Sequence, residues 1–393
     1  MKKIKLGEIC DLKSGYAFKS SDYVEKSNTL NCRMSNIRPG AIFDIGYNIK
    51  YLPDEYADKY KDFLLYDDDI IIAMTDLAGD PKILGVPAKV VTNGYNILQN
   101  QRVGKLIIKD KNKIDFDFLK YALSNPKNKE YYKKFAGGGL QINISNKDVL
   151  NIQISIYDKQ EQMEIANKLN KLQEIIDIRK KQIEELDKLI KSQFIEMFEK
   201  ENWNEVELKS VAEIKGRVGW KGYTKSDLKK EGPLVLGATH LSDDGTLDLS
   251  EPVFLSEEKY EESPEIMIKI NDLIFAQRGS LGKVGLVNYD IGKATINPCV
   301  LILRPFDIEP EFLRILMVLE YRNGNLERLN SGSTIPMISQ KTIGEYKIIK
   351  PNIKLQNKFA EFVKIIDKQK VELQKSLEEM EKLQESLMNK YFG

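Results

Sequence analysis

The sequence predicts an α+β protein made of two tandem homologous globular domains, each followed by one long helix. Three observations predict it. The 393-residue chain exceeds the roughly 100–200 residues of one ordinary domain. Its two halves repeat one another, and each half closes on an apolar heptad stripe. The expected boundaries are 1–158 and 200–352 for the globular domains, with 159–199 and 353–393 for the helices. The two helices are expected to pair as an antiparallel coiled coil with pseudo-two-fold symmetry, which would set the domains at opposite ends.

The duplication is read directly. Residues 118–198 lie over 312–392 without a gap at a shift of 194, matching Phe118-Leu119 to Phe312-Leu313, Ser145 to Ser339, Gln162 to Gln356 and Phe198 to Phe392. Nearer the starts a slightly larger shift pairs Leu6 with Leu208, and Asp69-Ile-Ile-Ile-Ala73 with Asp272-Leu-Ile-Phe-Ala276. A register that persists through strand-like, Gly-rich and helical segments marks copied domains, and the period is far longer than the 20–50 residues of a solenoid unit.

The globular parts mix short β-type runs, Ile70–Met74, Val103–Ile108, Leu273–Ala276 and Val300–Leu303, with Gly, Asn and Pro turns. A helix near Phe116–Leu123 has its copy near Glu311–Leu319. The closing helices are legible from periodicity. In the first, Ile165, Leu169, Leu172, Ile176, Ile183, Leu186 and Ile190 form the seam, broken at Arg179. In the second the seam is Phe359, Val363, Ile366, Leu373, Leu377, Met380 and Leu387, broken at Lys370. Neither run contains Pro or Gly, and each spans about 55 Å at 1.5 Å per residue. Arg179 and Lys370 are the polar positions expected to help set register.

Composition excludes several classes. With 42% hydrophobic and 30% charged residues the chain reads as globular, and no apolar run reaches the roughly 18 residues of a membrane span. The basic start, Met1-Lys2-Lys3, is not followed by an apolar stretch, so a cytoplasmic location is expected. Cys10, Cys32 and Cys299 are scattered and odd in number, against a disulfide framework or a four-ligand zinc site. The net charge of +1 gives no licence for a polyanionic partner, although a local basic face can hide behind a neutral sum.

The chain opens on Ile4-Lys-Leu-Gly-Glu-Ile9, and a later strand leads into Gln277-Arg-Gly-Ser-Leu-Gly-Lys-Val-Gly285. The Gly/Ser loop Ser331-Gly-Ser-Thr-Ile-Pro336 then precedes Ile338-Ser339 and a helix led by Gln356. This order of segments resembles that of the specificity subunit of type I restriction-modification systems. The resemblance covers both halves. The first half departs from the pattern at Met74–Gly85, which replaces the Arg-Gly-Ser-Leu-Gly-Lys loop of the second.

The resemblance implies a subunit with no catalytic role, whose two target recognition domains read the two halves of an interrupted double-stranded DNA sequence. The helix pair would hold a fixed spacer and dock two methyltransferase subunits, with restriction subunits joining to complete the nuclease. It also implies no cofactor in this chain, with S-adenosylmethionine, ATP and Mg on the partner subunits. The alternative from another class is a coiled-coil scaffold carrying two protein- or glycan-binding domains.

Phosphate contacts need cations and amides, and base readout needs planar donors and acceptors at a groove. On those grounds the DNA-contacting candidates in the first domain are Lys13, Ser14, Tyr16, Lys19, Arg33, Ser35, Asn36, Arg38, Thr75, Lys82, Gln141 and Asn143. In the second they are Lys215, Arg217, Trp220, Lys221 and Tyr223, then Gln277, Arg278, Ser280 and Lys283, then Ser331, Ser333 and Thr334. His240, the single histidine, is expected to be a loop or packing residue.

Catalytic motifs are incomplete. Gly279-Ser-Leu-Gly282-Lys283 lacks the spacing of a phosphate-binding loop, and Asn297-Pro298-Cys299 lacks the second proline and aromatic residue of an amino-methyltransferase. Glu213-Ile-Lys215 has the dipeptide spacing of a nuclease site without a recognisable metal-binding partner. One histidine also leaves Ser-His-Asp and two-histidine metal arrangements poorly supported.

Overall fold

The computed structural model describes residues 2–137, 139–199, 203–217, 223–330 and 336–393. The chain divides into two compact units, and they do not follow the chain in simple halves: the first is residues 1–180 with 375–393, the second 181–374.

In the first unit an antiparallel four-stranded sheet runs in the order Pro87–Lys89, Ile70–Ala73, Val103–Ile108, Cys10–Ser14. A second sheet is built on a parallel pair, Thr29–Cys32 with Asn96–Gln99. A two-stranded ribbon joins Lys2–Lys5 to Gln153–Ile156.

The second unit repeats this plan. Its four-stranded sheet runs Val284–Leu286, Leu273–Ala276, Val300–Pro305, Ala212–Gly216, again antiparallel. Its parallel pair is Leu228–Leu236 with Ala294–Ile296, and its ribbon joins Glu205–Glu207 to Lys347–Ile349. The helices follow suit, with Phe116–Leu123 answered by Pro310–Arg322 and Asn146–Leu150 by Gln340–Gly344.

The unbroken apolar runs follow from their position between two layers. Ile70 and Ile72 face the cluster containing Phe118 and the long-helix residues Ile165 and Leu169. Their alternating neighbours Ile71 and Ala73 face a second cluster with Ile97 and Val103. Leu273 and Phe275 against Ile274 and Ala276 split the same way in the second unit. A strand buried on both faces has no use for polar alternation.

The long helices are continuous over Lys159–Phe198 and Ile353–Phe392 and pair antiparallel. Within the first unit Gln384 hydrogen-bonds Gln173 at 2.8 Å, Lys180 pairs with Glu381 at 2.8 Å, and Phe392 packs on Phe118 with ring centroids 5.2 Å apart. Within the second, Phe194 and Phe198 pack on Phe359, and Lys370 reaches Asp187 at 2.8 Å.

Seam residues Ile165, Leu169, Leu172, Ile176, Ile190, Phe359, Val363, Ile366 and Leu377 are buried. Ile183, Leu186, Leu373, Met380 and Leu387 are half-buried. Lys370 also bonds Asp244 at 3.1 Å, tying both helices to the domain. Burial works against its charge, but Asp187 and Asp244 outweigh this and raise its pKa.

Each long helix is fastened to its domain by one buried glutamine. Gln162 accepts the Asp115 N–H at 3.0 Å and donates to the carbonyls of Lys113 and Tyr157. Gln356 accepts the Glu309 N–H at 2.9 Å and donates to the Pro351 carbonyl at 2.7 Å. Asp115 and Glu309 are the N-caps of the domain helices, so each glutamine locks two helix starts together. Gln356→Leu strands buried backbone groups and should cost the second unit about 2 kcal/mol in a urea titration.

Candidate nucleic-acid interface

The second domain presents its candidates on the turn between Leu273–Ala276 and Val284–Leu286. The turn is shaped by Gly282, whose φ of +83° and distance of 2.6 Å from an added Cβ to the Leu326 Cβ both require glycine. Arg278 and Ser280 are exposed on it. Gln277 donates to the Pro298 carbonyl at 2.9 Å, and the Arg278 guanidinium lies over Met337 Sδ, with Nη2 at 3.1 Å. Lys283 is held by Asp243 at 2.8 Å, and Lys215 by Glu213 at 2.8 Å, which keeps the Glu213 carboxyl below its usual range.

The divergent first-domain loop keeps one such glycine, Gly85, whose φ is +69° and whose N–H bonds the Ala73 carbonyl at 2.9 Å as Gly282 bonds Ala276, and it adds a carboxylate. Asp76 accepts the N–H groups of Leu77, Ile83 and Leu84 at 2.8, 2.6 and 3.1 Å. Thr75–Leu77 then pairs antiparallel with Gln141–Asn143, placing Gln141 opposite Leu77 and Asn143 opposite Thr75. The bridge between Arg278 and Met337 stands at the matching place in the second domain. Gln141 and Asn143 are exposed, as is Lys82, which sits 3.6 Å from Asp80.

A further first-domain cluster joins an aromatic group to basic residues. Tyr16 packs on Tyr60 at 4.5 Å and Phe63 at 5.5 Å between ring centroids, while Lys13 lies 5.6 Å from the Phe63 centroid and bonds the Asp62 carbonyl. Ser14 donates to Asn146 at 3.0 Å, and Lys19 is exposed. Arg38 stacks over Tyr47 at 3.7 Å, and Arg33 donates to the Asn48 carbonyl at 2.7 Å. Ser35 is half-buried beside them.

Three candidates are corrected by their surroundings. Asn36 is buried, with its amide donating to the carbonyls of Asp44 and Tyr47 and its oxygen accepting the Arg33 N–H, so it holds the loop. Arg217 is 8% exposed and donates to the Ile296 carbonyl at 2.9 Å and Thr295 Oγ1 at 3.1 Å. Burial lowers its pKa, and it lies over the half-buried Tyr223 ring at 5.3 Å, so its guanidinium is engaged within the domain. Thr75 is 2% exposed and donates to Asn143 Oδ1 at 2.7 Å, so it acts by orienting Asn143.

Trp220, Lys221, Ser331, Ser333 and Thr334 lie outside the described residues. His240 is a packing residue whose Nδ1 accepts the Gly237 N–H at 3.0 Å. The reading from sequence did not single out Leu77, 61% exposed on the first-domain ribbon, or Leu140, 90% exposed just before it. Apolar residues give no signal of exposure until their neighbours are placed.

Comparison with known proteins decides the family. The family model described as the type I restriction modification DNA specificity domain matches twice, over residues 1–188 and 200–382. The chain belongs to this specificity family. Members supply DNA sequence specificity and are by family non-catalytic.

A similar curated protein is the type I restriction enzyme MjaVIII specificity subunit of Methanocaldococcus jannaschii, 31% identical over 187 residues. That alignment spans 47% of this chain and 42% of the relative, less than half of either. Among solved structures, the S subunit of the type I system from M. genitalium aligns with a TM-score of 0.61 at 18% identity, covering 100% of this chain and 96% of that one. A chain from work on complex assembly and conformational transition of the type I R-M system gives 0.56 at 18% identity, covering 99% and 97%. At that identity the structures show a shared fold. No described helix is long and apolar enough to cross a membrane.

Proposed function

We propose that this specificity subunit reads a bipartite double-stranded DNA target, with residues 1–158 reading one half-site and 200–352 the other. The observation that carries the reading is a complete DNA-specificity fold repeated within one chain. Two modest readers joined by stiff helices make the second binding event intramolecular, so a chain of net charge +1 needs no strongly basic surface. The stiff helices set the spacer. The best spacing brings both half-sites to one side of the duplex, about 34 Å per turn.

The same helices dock two methyltransferase subunits, which restriction subunits join in the full cytoplasmic complex. Leu189 and Leu383 occupy equal positions of the repeat and are 44% and 47% exposed. An apolar residue left outside in both copies fits a partner that binds twice. S-adenosylmethionine, ATP and Mg belong to the partner subunits in this reading. Leu189→Asp with Leu383→Asp should abolish co-purification of the methyltransferase while leaving thermal unfolding unchanged.

Selection of random duplex DNA by the chain with its methyltransferase tests the core of the proposal. Two short blocks at one fixed separation are the expected result, with affinity falling steeply as salt rises. Absence of any enriched block would remove it and favour a protein- or glycan-binding scaffold.

A further inference from the structure

We infer that the outer face of the first-domain ribbon reads thymine, using Leu77 against the thymine methyl group beside the amides of Gln141 and Asn143. The inference rests on the DNA-reading proposal and extends it to the chemistry of one base pair. Residues directly opposite in an antiparallel pair share a face, so Leu77 with Gln141 and Thr75 with Asn143 lie on one side of the ribbon. The other side turns Ile142 and Asp76 inward, where they are buried.

Three features fit this face to a DNA groove rather than to water. A two-stranded β-ribbon is of a size that the major groove admits. The ribbon's carboxylate, Asp76, is turned away and consumed by three backbone N–H groups, so none of the ribbon's outward residues repels a phosphate backbone. The outward groups are two carboxamides and exposed leucine, the combination that meets an A·T pair: an amide for adenine N6 and N7, and an apolar surface for the thymine methyl. Thr75 donates to Asn143 Oδ1 at 2.7 Å, which fixes the carboxamide of the exposed Asn143.

The matching place in the second domain carries Arg278 opposite Met337, and Arg278 is exposed. Arginine pairs with guanine O6 and N7. The two copies of one ribbon position therefore favour different bases, A·T in the first half-site and G·C in the second.

The test uses the full chain with its methyltransferase, the DNA block selected by each domain, and duplexes in which deoxyuridine replaces each thymine in turn. Loss of one methyl contact should weaken binding about four-fold at one position of the first block. The Leu77→Ser variant should bind the thymine and uridine duplexes equally and leave the second block unchanged. The Leu77 side chain is solvent-exposed, so the variant should unfold like the parent. Two enriched blocks with no uridine effect, or a variant that loses methyltransferase while both blocks persist, would overturn the thymine assignment alone. No enriched block in the parent would overturn the DNA-reading proposal with it.

Discussion

Arg314→Ala should cost the second unit about 3 kcal/mol, because it leaves the buried Glu311 carboxylate and the half-buried Asp367 without their cation. The guanidinium is 2% exposed, pairs with Glu311 and Asp367, and donates to the Asp244 carbonyl at 2.7 Å. Burial works against its charge, and those carboxylates outweigh it and hold the pKa up. Burial raises the Glu311 pKa against the pull of Arg314, so removing the cation should raise it further.

Urea titration with hydrogen exchange over Pro310–Arg322 would measure the loss. A cost below about 1 kcal/mol would refute this account of the site. Replacing all three side chains by apolar ones, Arg314→Met, Glu311→Leu and Asp367→Leu, should recover most of the stability, since desolvation of the charges is removed with them. The first unit has no such triad at the repeated positions. There Lys120 donates to Asn170 at 3.2 Å, and Asn170 to Asp117 at 2.9 Å. The Arg314→Ala chain should therefore lose selection of the second DNA block on warming before it loses the first.

Removing seven residues from the middle of each long helix, 176–182 together with 376–382, should change the selected spacer by about three base pairs. Seven residues correspond to about 10 Å of helix axis, and B-DNA rises about 3.4 Å per base pair. The deletions keep the heptad phase of both seams, so the helices can still pair. The sequences of the two blocks should not move, because the ribbon and turn residues that would read them lie outside the deleted segments. An unchanged spacer would remove the helices as its ruler.

Much of this architecture is written in local patterns. Apolar steps of three and four residues determined both long helices, since a 3.6-residue turn puts such positions on one side. Runs such as Leu273–Ala276 and Val103–Ile108 determined the central strands, since a doubly covered strand must be apolar throughout. Gln162 and Gln356 stood out as a repeated pair before their role was visible; each satisfies the backbone at two helix starts.

Only the tertiary structure decided which polar side chains remain available to a ligand. Arg217 is held by Thr295 and Ile296, and Thr75 by Asn143, partners that lie 78, 79 and 68 residues away. A hydrogen bond depends on separation in space, so composition around a residue could not reveal that these donors were already engaged. Leu77 shows the converse, an apolar residue left outside because the ribbon's other face took the core.

The makeup of the units was decided the same way. Leu169 finds its cover in a cluster that includes Phe392, and Phe194 in one that includes Phe359, so each compact unit draws on both helices. A heptad stripe announces that an apolar seam needs a partner. Burying that seam against the other helix identifies the segment that supplies it.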